Sequence, residues 1–377
     1  MSIRRRELLA LGLSATVFGP SLSFAESAES QEGADSEAKT DEWQFHNVAD
    51  IGLEGRGWNE AERPFSRLPG RAEELVRPPV WRLAQDTAGM FTSFTTDATA
   101  LRLEVELLSS ELAMPHMPAT GKSGIDVYAR GEGGEWRWVA TAQPRKQNYQ
   151  ANVTGLAPGS RDYRVHLPLY NGVQAMRIGV RGGAEFQGIK PRTSKPIVYY
   201  GTSIAQGACA SRPGMAFIAQ LGRRLDVPIL NLGFSGNGRL ETEVCDLIAE
   251  IDARVFVLDC LPNLGPKATA ARTVPFVRRL REQRPDTPIV MVEDRANANA
   301  SFLPSRMAHH EGNHAAFRAG YDLLVGEGVK GLTYVKDAPF LGHDGEGTVD
   351  GSHPTDLGMT RYADALEPVL RPLIESR

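Results

Sequence analysis

Tyr199-Tyr200-Gly201-Thr202-Ser203-Ile204 carries an apolar run straight into a serine. Ile197, Val198, Tyr199 and Tyr200 are β-branched or aromatic and follow Lys195-Pro196, the pattern of a short buried strand. Gly201 lets the backbone turn sharply, so Ser203 falls just past the carboxyl end of that strand. In open parallel sheets, chemistry collects in the crevice outside the strand ends. Ser203 is therefore a candidate nucleophile, provided that a base and an oxyanion site lie elsewhere in the chain.

Downstream, strand and helix patterns alternate. Strands are predicted at 228–232, 255–259, 288–292 and 332–335, and helices at 214–225, 240–250, 273–283, 314–326 and 356–375. In the second of these helices Leu240, Val244, Leu247 and Ile248 share one face. Repeated strand–helix units imply a parallel sheet with helices on both faces. The expectation for 189–377 is an α/β domain with a flavodoxin-like, five-stranded parallel sheet.

In such a sheet the loops after the strands meet along one edge. Ser203 follows the first strand and Asn231-Leu232-Gly233-Phe234-Ser235-Gly236-Asn237 the second. Asp259-Cys260-Leu261-Pro262-Asn263 follows the third, and Thr348-Val349-Asp350-Gly351-Ser352-His353-Pro354 the fifth. A serine hydroxyl needs an adjacent base to become a nucleophile. His353 is the candidate base, and Asp350 can hold its ring in the right tautomer. The backbone N–H groups of Ser203 and Gly236 and the side-chain amide of Asn263 are candidate oxyanion donors. Each fragment alone is common by chance; their order at successive strand ends is not.

Two rivals are weaker. Ser235 lies in Gly233-Phe234-Ser235-Gly236-Asn237, with Asn where a Gly-x-Ser-x-Gly elbow requires glycine. His309, His310 and His314 include the i, i+4 spacing that suits zinc, but Glu311 is misplaced for His-Glu-x-x-His. A polar helix start is the expectation there, with no metal and no cofactor.

Upstream, residues 42–188 show no sustained helical periodicity. Strands are predicted at 90–94, 100–107, 124–129, 135–141, 161–167 and 175–180, separated by turns such as Gly131-Glu132-Gly133-Gly134. This argues a β-sandwich, jelly-roll-like, ahead of the α/β domain. All five tryptophans lie here, read either as sugar-stacking platforms or as core filling. His116, in the loop Met114-Pro115-His116-Met117-Pro118, is a candidate for substrate binding at the second domain's cleft or else a surface histidine.

The chain begins as an export signal. Arg4-Arg5-Arg6, an apolar stretch over 8–18 and small residues up to Ala25 give the order of a secretory signal, with the arginine cluster pointing to the twin-arginine route. The expected location is periplasmic or secreted, with no stable membrane insertion once 1–25 is removed. Residues 26–41 are acidic, lack aromatics and read as a disordered tether. The net charge of −4 comes with no basic patch, which argues against nucleic acid as a partner. Three cysteines, Cys209, Cys245 and Cys260, cannot all pair with one another, though Cys209 and Cys260 both fall near strand ends and one disulfide between them is conceivable.

These blocks resemble the SGNH (GDSL-like) hydrolases. Gly201-Thr202-Ser203 is similar to their first block, with Thr202 replacing the usual Asp. Gly236 is similar to the second, and Asn263 to the third, although Leu261 and Leu264 replace the usual Gly and Asp. Asp350-Gly351-Ser352-His353-Pro354 is similar to the fifth. Gly124-Ile125-Asp126-Val127-Tyr128 resembles the Gly-x-Asp-Leu-Tyr signature of the β-rich domain in one two-domain bacterial esterase subfamily; Arg67-Leu68-Pro69 and 167–173 look familiar from it too. The resemblance implies an exported esterase acting on a small acyl ester, with acylated carbohydrate as its substrate. A lipase-like or thioesterase-like hydrolase, and a carbohydrate-binding protein on an inactive hydrolase fold, are the alternatives. The oligomeric state is open.

Overall fold

The computed structural model describes residues 42–60, 62–336 and 339–375. The signal at 1–25 and the tether at 26–41 lie outside these residues. Among them, no helix is long and apolar enough to cross a membrane.

Among the described residues the first half contains nine strands: β1 (Trp43–Asn47), β2 (Phe91–Thr96), β3 (Ala100–Leu107), β4 (Ile125–Arg130), β5 (Trp136–Ala142), β6 (Asn148–Thr154), β7 (Arg161–His166), β8 (Val173–Arg181) and β9 (Phe186–Gly188). They form two antiparallel sheets, ordered β1-β8-β3-β6 and β5-β4-β7-β2-β9. Leu101, Leu103 and Ile178 from one sheet and Phe94, Val127 and Val165 from the other share a single apolar cluster, so the sheets face each other as a sandwich. Strand β6 was not expected from the sequence. Its inward residues Tyr149, Ala151 and Val153 do alternate with exposed polar ones, but Asn148 and Gln150 hide the pattern.

The first half also carries the short helices α1 (Val48–Ile51), α2 (Ala72–Leu75), α3 (Pro78–Ala84) and α4 (Ala119–Lys122). The second half follows the expected alternation. Its strands are β10 (Ile197–Gly201), β11 (Ile229–Gly233), β12 (Val255–Asp259), β13 (Ile289–Val292) and β14 (Leu332–Val335). Its helices are α5 (Ser203–Gln206), α6 (Phe217–Leu225), α7 (Thr242–Ala249), α8 (Pro266–Gln283), α9 (Pro304–Gly326) and α10 (Asp356–Glu375). All strand pairs are parallel, in the order β11-β10-β12-β13-β14. This is the doubly wound, flavodoxin-like order. Helices α8 and α9 begin earlier than their apolar periodicity indicated; each starts at a proline, which suits the first helical position because its missing N–H has no partner there anyway.

Because strand side chains alternate, the sheet has two separate cores. Val198, Tyr200, Leu232 and Phe256 face one cluster; Ile197, Tyr199, Val257 and Val290 face the other. This corrects the conceived disulfide. Cys260 belongs to the first cluster and Cys209 to the second, so the sheet lies between them, and all three cysteines are free and buried.

Residues of the first half help to build the first of these cores. Leu68, Ala72, Val76, Val80, Trp81 and Ala84 pack into it beside Leu230 and Leu247. Arg67 fixes this segment in place. It is 1% exposed, and its guanidinium donates to the carbonyls of Asp86 at 2.7 Å, Gly233 at 2.7 Å and Asn231 at 3.1 Å, and also to that of Leu83. Burial lowers its pKa to about 10, so it stays charged at neutral pH.

A second pin lies on the opposite core. Asp126, fully buried, accepts from Arg212 at 2.8 Å, from the backbone N–H of Gly214 at 2.7 Å and from the Thr141 hydroxyl. Arg212 also donates to the Tyr128 hydroxyl at 2.7 Å. The Gly-x-Asp-x-Tyr stretch is thus a docking device between the halves. Arg67→Met should leave four carbonyls without their donor. The expected result is a loss of about 3 kcal/mol or more in urea unfolding, with Arg67→Lys intermediate. A melting temperature for Arg67→Met within a degree of the parent would show that the guanidinium is not a clamp.

Candidate active site

Strand β10 ends at Gly201, Thr202 caps α5 through its hydroxyl, and Ser203 is the first residue of that helical turn. The turn is tight. A Cβ on Gly233 would come within 2.2 Å of the Gln206 nitrogen, and one on Gly238 within 1.9 Å of the Gly201 carbonyl oxygen, so side chains are excluded on both sides of it. Ser203 is buried, and its carbonyl accepts from the Tyr170 hydroxyl at 3.1 Å and from the N–H groups of Gly207 and Ala208.

The structure brings Ser203, His353 and Asp350 together. Ser203 Oγ lies 2.9 Å from His353 Nε2, and His353 Nδ1 lies 2.7 Å from Asp350 Oδ2. Burial works to raise the Asp350 pKa. The backbone N–H groups of His353 and Ser352 and the His353 ring outweigh it and hold the carboxyl at about 2. An ionised Asp350 must receive a proton from Nδ1, which leaves the Nε2 lone pair facing the serine hydroxyl. Gly351, at φ +90°, makes the turn that folds Asp350 back onto the histidine three residues on.

The second and third loops close on this pair. Gly236 sits at φ +66°, and nothing lies within 4 Å of where its Cβ would be. Among the described residues the backbone N–H groups of Ser203 and Gly236 meet no acceptor, which leaves them available to an oxyanion. The Asn263 amide reaches the carbonyls of Phe234 at 3.4 Å and Gly238 at 3.2 Å. Both contacts are long, so it ties the second loop to the third and must loosen one of them to turn toward a ligand. Leu261 and Leu264, where the resemblance led to Gly and Asp, are buried apolar residues. Their carbonyls are held by the buried Asn313 amide at 3.2 and 2.8 Å.

Other residues that position the site were missed in the sequence. Gln206 donates to Asp86 at 2.8 Å and accepts from the Ser235 N–H at 3.0 Å, joining the serine's helix to the second loop and to the first half. Arg295 donates to the Ser352 carbonyl and hydroxyl and pairs with Asp294, which steadies the loop carrying His353. A glutamine three residues after a nucleophile carries no distinctive signal, and the approach of Arg295 depends on tertiary folding.

His116 also reaches the site. Met117 is buried in the core cluster that contains Ile204 and Cys209, and this anchors the loop so that the His116 ring lies 5.9 Å from the His353 ring. Of the five tryptophans, Trp81 and Trp58 pack on the α/β core, Trp43 and Trp136 lie against arginine guanidiniums, and Trp138 is about half-exposed beside Arg212. On the other side, Pro262, Arg295, Arg306, His309 and Ser352 are among the residues lining a pocket of about 330 Å³.

Asp294, His310 and His314 could hold a metal ion, their ligand atoms lying within 4.8 Å of one another. Their existing bonds oppose it. Asp294 is paired with Arg295, His310 Nδ1 lies 2.9 Å from Asp294, and His310 Nε2 accepts the Asn297 N–H at 3.2 Å.

Comparison with known proteins gives two family matches. Residues 194–371 match the GDSL-like lipase/acylhydrolase family, and residues 43–186 match the GxDLY model for the N-terminus of SGNH-hydrolase-type esterases. A solved structure from Bacteroides ovatus, described as a GDSL-like lipase, is 32% identical with a TM-score of 0.85, over 89% of this chain and 98% of that one. A salicylyl-acyltransferase from a tetracycline biosynthetic pathway is 20% identical with a TM-score of 0.70, over 88% and 97%. An acetyl xylan esterase from the rumen bacterium Butyrivibrio proteoclasticus is 10% identical with a TM-score of 0.53, over 88% and 99%. The last two share the fold. The comparison with curated protein sequences returned no match.

The depressed Asp350 pKa has a testable sign. A carboxyl held at about 2, below its unfolded value near ~3.9, adds stability above pH ~4 and loses it as pH falls toward 2. The melting-temperature advantage of the parent over Asp350→Asn should therefore shrink from pH 5 to pH 3. An advantage unchanged over that range would contradict the assignment.

Proposed function

This chain belongs to the GDSL-like lipase/acylhydrolase family, and from that premise we propose an exported serine esterase that removes small, acetyl-like acyl groups from carbohydrate. The observation that carries the reading is the pair of hydrogen bonds joining Ser203 Oγ through His353 to Asp350. Ser203 Oγ attacks the ester carbonyl as His353 Nε2 takes its proton, and Asp350 stabilises the imidazolium. The N–H groups of Ser203 and Gly236, and the Asn263 amide once it turns, receive the oxyanion; each such donor contributes about 10²–10³ in rate. His353 returns the proton to the departing sugar hydroxyl. The acyl group stays on Ser203 until water, deprotonated by the same ring, hydrolyses it.

The restriction to small acyl groups and a polar alcohol rests on the adjoining pocket. Pro262 is the one apolar residue among those lining it, beside Asn297, Ser305, Ser352 and several charged groups. A long acyl chain gains about 0.8 kcal/mol per methylene only where it can leave water, and a small pocket lined by polar and charged residues apart from Pro262 offers little room for that. That weighs against a lipase or a thioesterase for long chains. Export rests on the pattern of residues 1–25 alone.

Ser203→Ala should keep the fold and lose nearly all turnover of p-nitrophenyl acetate, and a serine-directed phosphonate should label Ser203 but not Ser235. Retention of more than a few per cent of parental turnover would remove Ser203 from the reaction. Across p-nitrophenyl esters, kcat/KM should fall beyond butyrate; a rise toward dodecanoate would favour the lipase reading.

His116 serves here as a substrate contact beside the base. His116→Ala should lower kcat/KM on an acetylated glycan about five- to thirtyfold and spare p-nitrophenyl acetate. Equal losses on both substrates, with the fold intact by calorimetry, would move His116 into the chemistry itself.

A further inference from the structure

We infer that the pocket between the third and fifth loops is an anion subsite, and that the alcohol carried by the ester is a sugar acid. The inference rests on the esterase reading above and narrows its substrate class. Pro262 and Ser352, which line the pocket, are the chain neighbours of Asn263 and His353, so the pocket lies one residue away from a candidate oxyanion donor and from the base.

Its charges do not balance. Among the lining residues, Arg295 is buried and neutralised by Asp294. Arg306 is exposed on the first turn of α9 and, among the described residues, has no anionic partner. His309, one turn further on and also exposed, adds an imidazole to the same lining. The first turn of α9 contains no acidic residue and no side-chain cap, so its positive end is left uncompensated in the same place. An arginine at that position opposes the helix dipole, an arrangement that a bound anion relieves. Asp350 is already covered by the His353 ring and two backbone N–H groups. A net positive, water-accessible pocket next to an ester-cleaving serine selects a substrate with a negative charge close to its ester. With a small neutral acyl group, that charge must sit on the alcohol, and a uronic acid carboxylate is the carbohydrate group that supplies it. Arg306 can meet it with a charge-assisted hydrogen bond.

The test compares purified full-length protein on acetylated glucuronic acid, acetylated glucose, succinylated glucose and p-nitrophenyl acetate, with kcat/KM read from acid release. The parent should prefer acetylated glucuronic acid to acetylated glucose by about tenfold, as expected for one charge-assisted hydrogen bond, and the preference should shrink with added salt. Arg306→Gln should abolish the preference and Arg306→Glu should invert it, with p-nitrophenyl acetate unchanged in both. Equal kcat/KM on the two acetylated sugars, or a preference that survives Arg306→Glu, would overturn the inference and leave the esterase reading standing. A preference for succinylated glucose would overturn the placement of the charge on the alcohol. Failure to hydrolyse any of the four esters would overturn both readings.

Discussion

One buried guanidinium sets the geometry on which this structure depends. Arg67 reaches from the first half into the carboxyl end of β11, and its donors meet the carbonyls of Asn231 and Gly233. Those residues lead into the loop with Gly236, and the side chain of Asn231 in turn donates to the Ala205 carbonyl at 2.7 Å, inside the serine's own helical turn. Ser203 and the loop with Gly236 are therefore referenced to a residue that lies 136 positions before that serine in the chain. Carbonyl groups at the end of a strand lack ladder partners, and burying them without a donor is costly. A planar cation with five N–H groups satisfies several at once, which a lysine cannot do.

The loops around the site are tied down for a related reason. Each is held by a buried polar side chain from a different element: Gln206 for the second, Asn313 for the third, Arg295 for the fifth. Such contacts are individually modest in water but strong where water is excluded. They brace the loops that carry Ser203 and His353 while leaving Gly236 exposed. The cleft wall is shared, because the loop of His116 is anchored by Met117 in the α/β core.

Much of this was legible in the residues. Strand β12 and helix α10 were read with their observed limits, because Val255–Leu258 is a continuous apolar run ended by Asp259 and Asp356 opens a clear amphipathic pattern. Ser203, Asp350 and His353 could be placed because strand ends in a parallel sheet converge whatever the sequence between them. What stayed hidden depends on contacts distant in sequence. Arg67 and Asp126 looked familiar as parts of motifs, yet their partners Gly233 and Gly214 could not be guessed. The opposite placement of Cys209 and Cys260 follows from strand parity at a loop, which residue patterns do not resolve.

The packing of 68–84 into the α/β core also bears on how the chain acquires its fold. During synthesis Val76, Val80 and Trp81 leave the ribosome more than a hundred residues before Leu230, Leu247 and Phe256, the groups that cover them. Pairings that distant are slow to form, since loop closure must come first. Until then the segment presents an apolar stripe to any other chain, which makes newly made protein prone to association. The two halves thus complete folding together, and the link at 189–196 is a poor place to divide them.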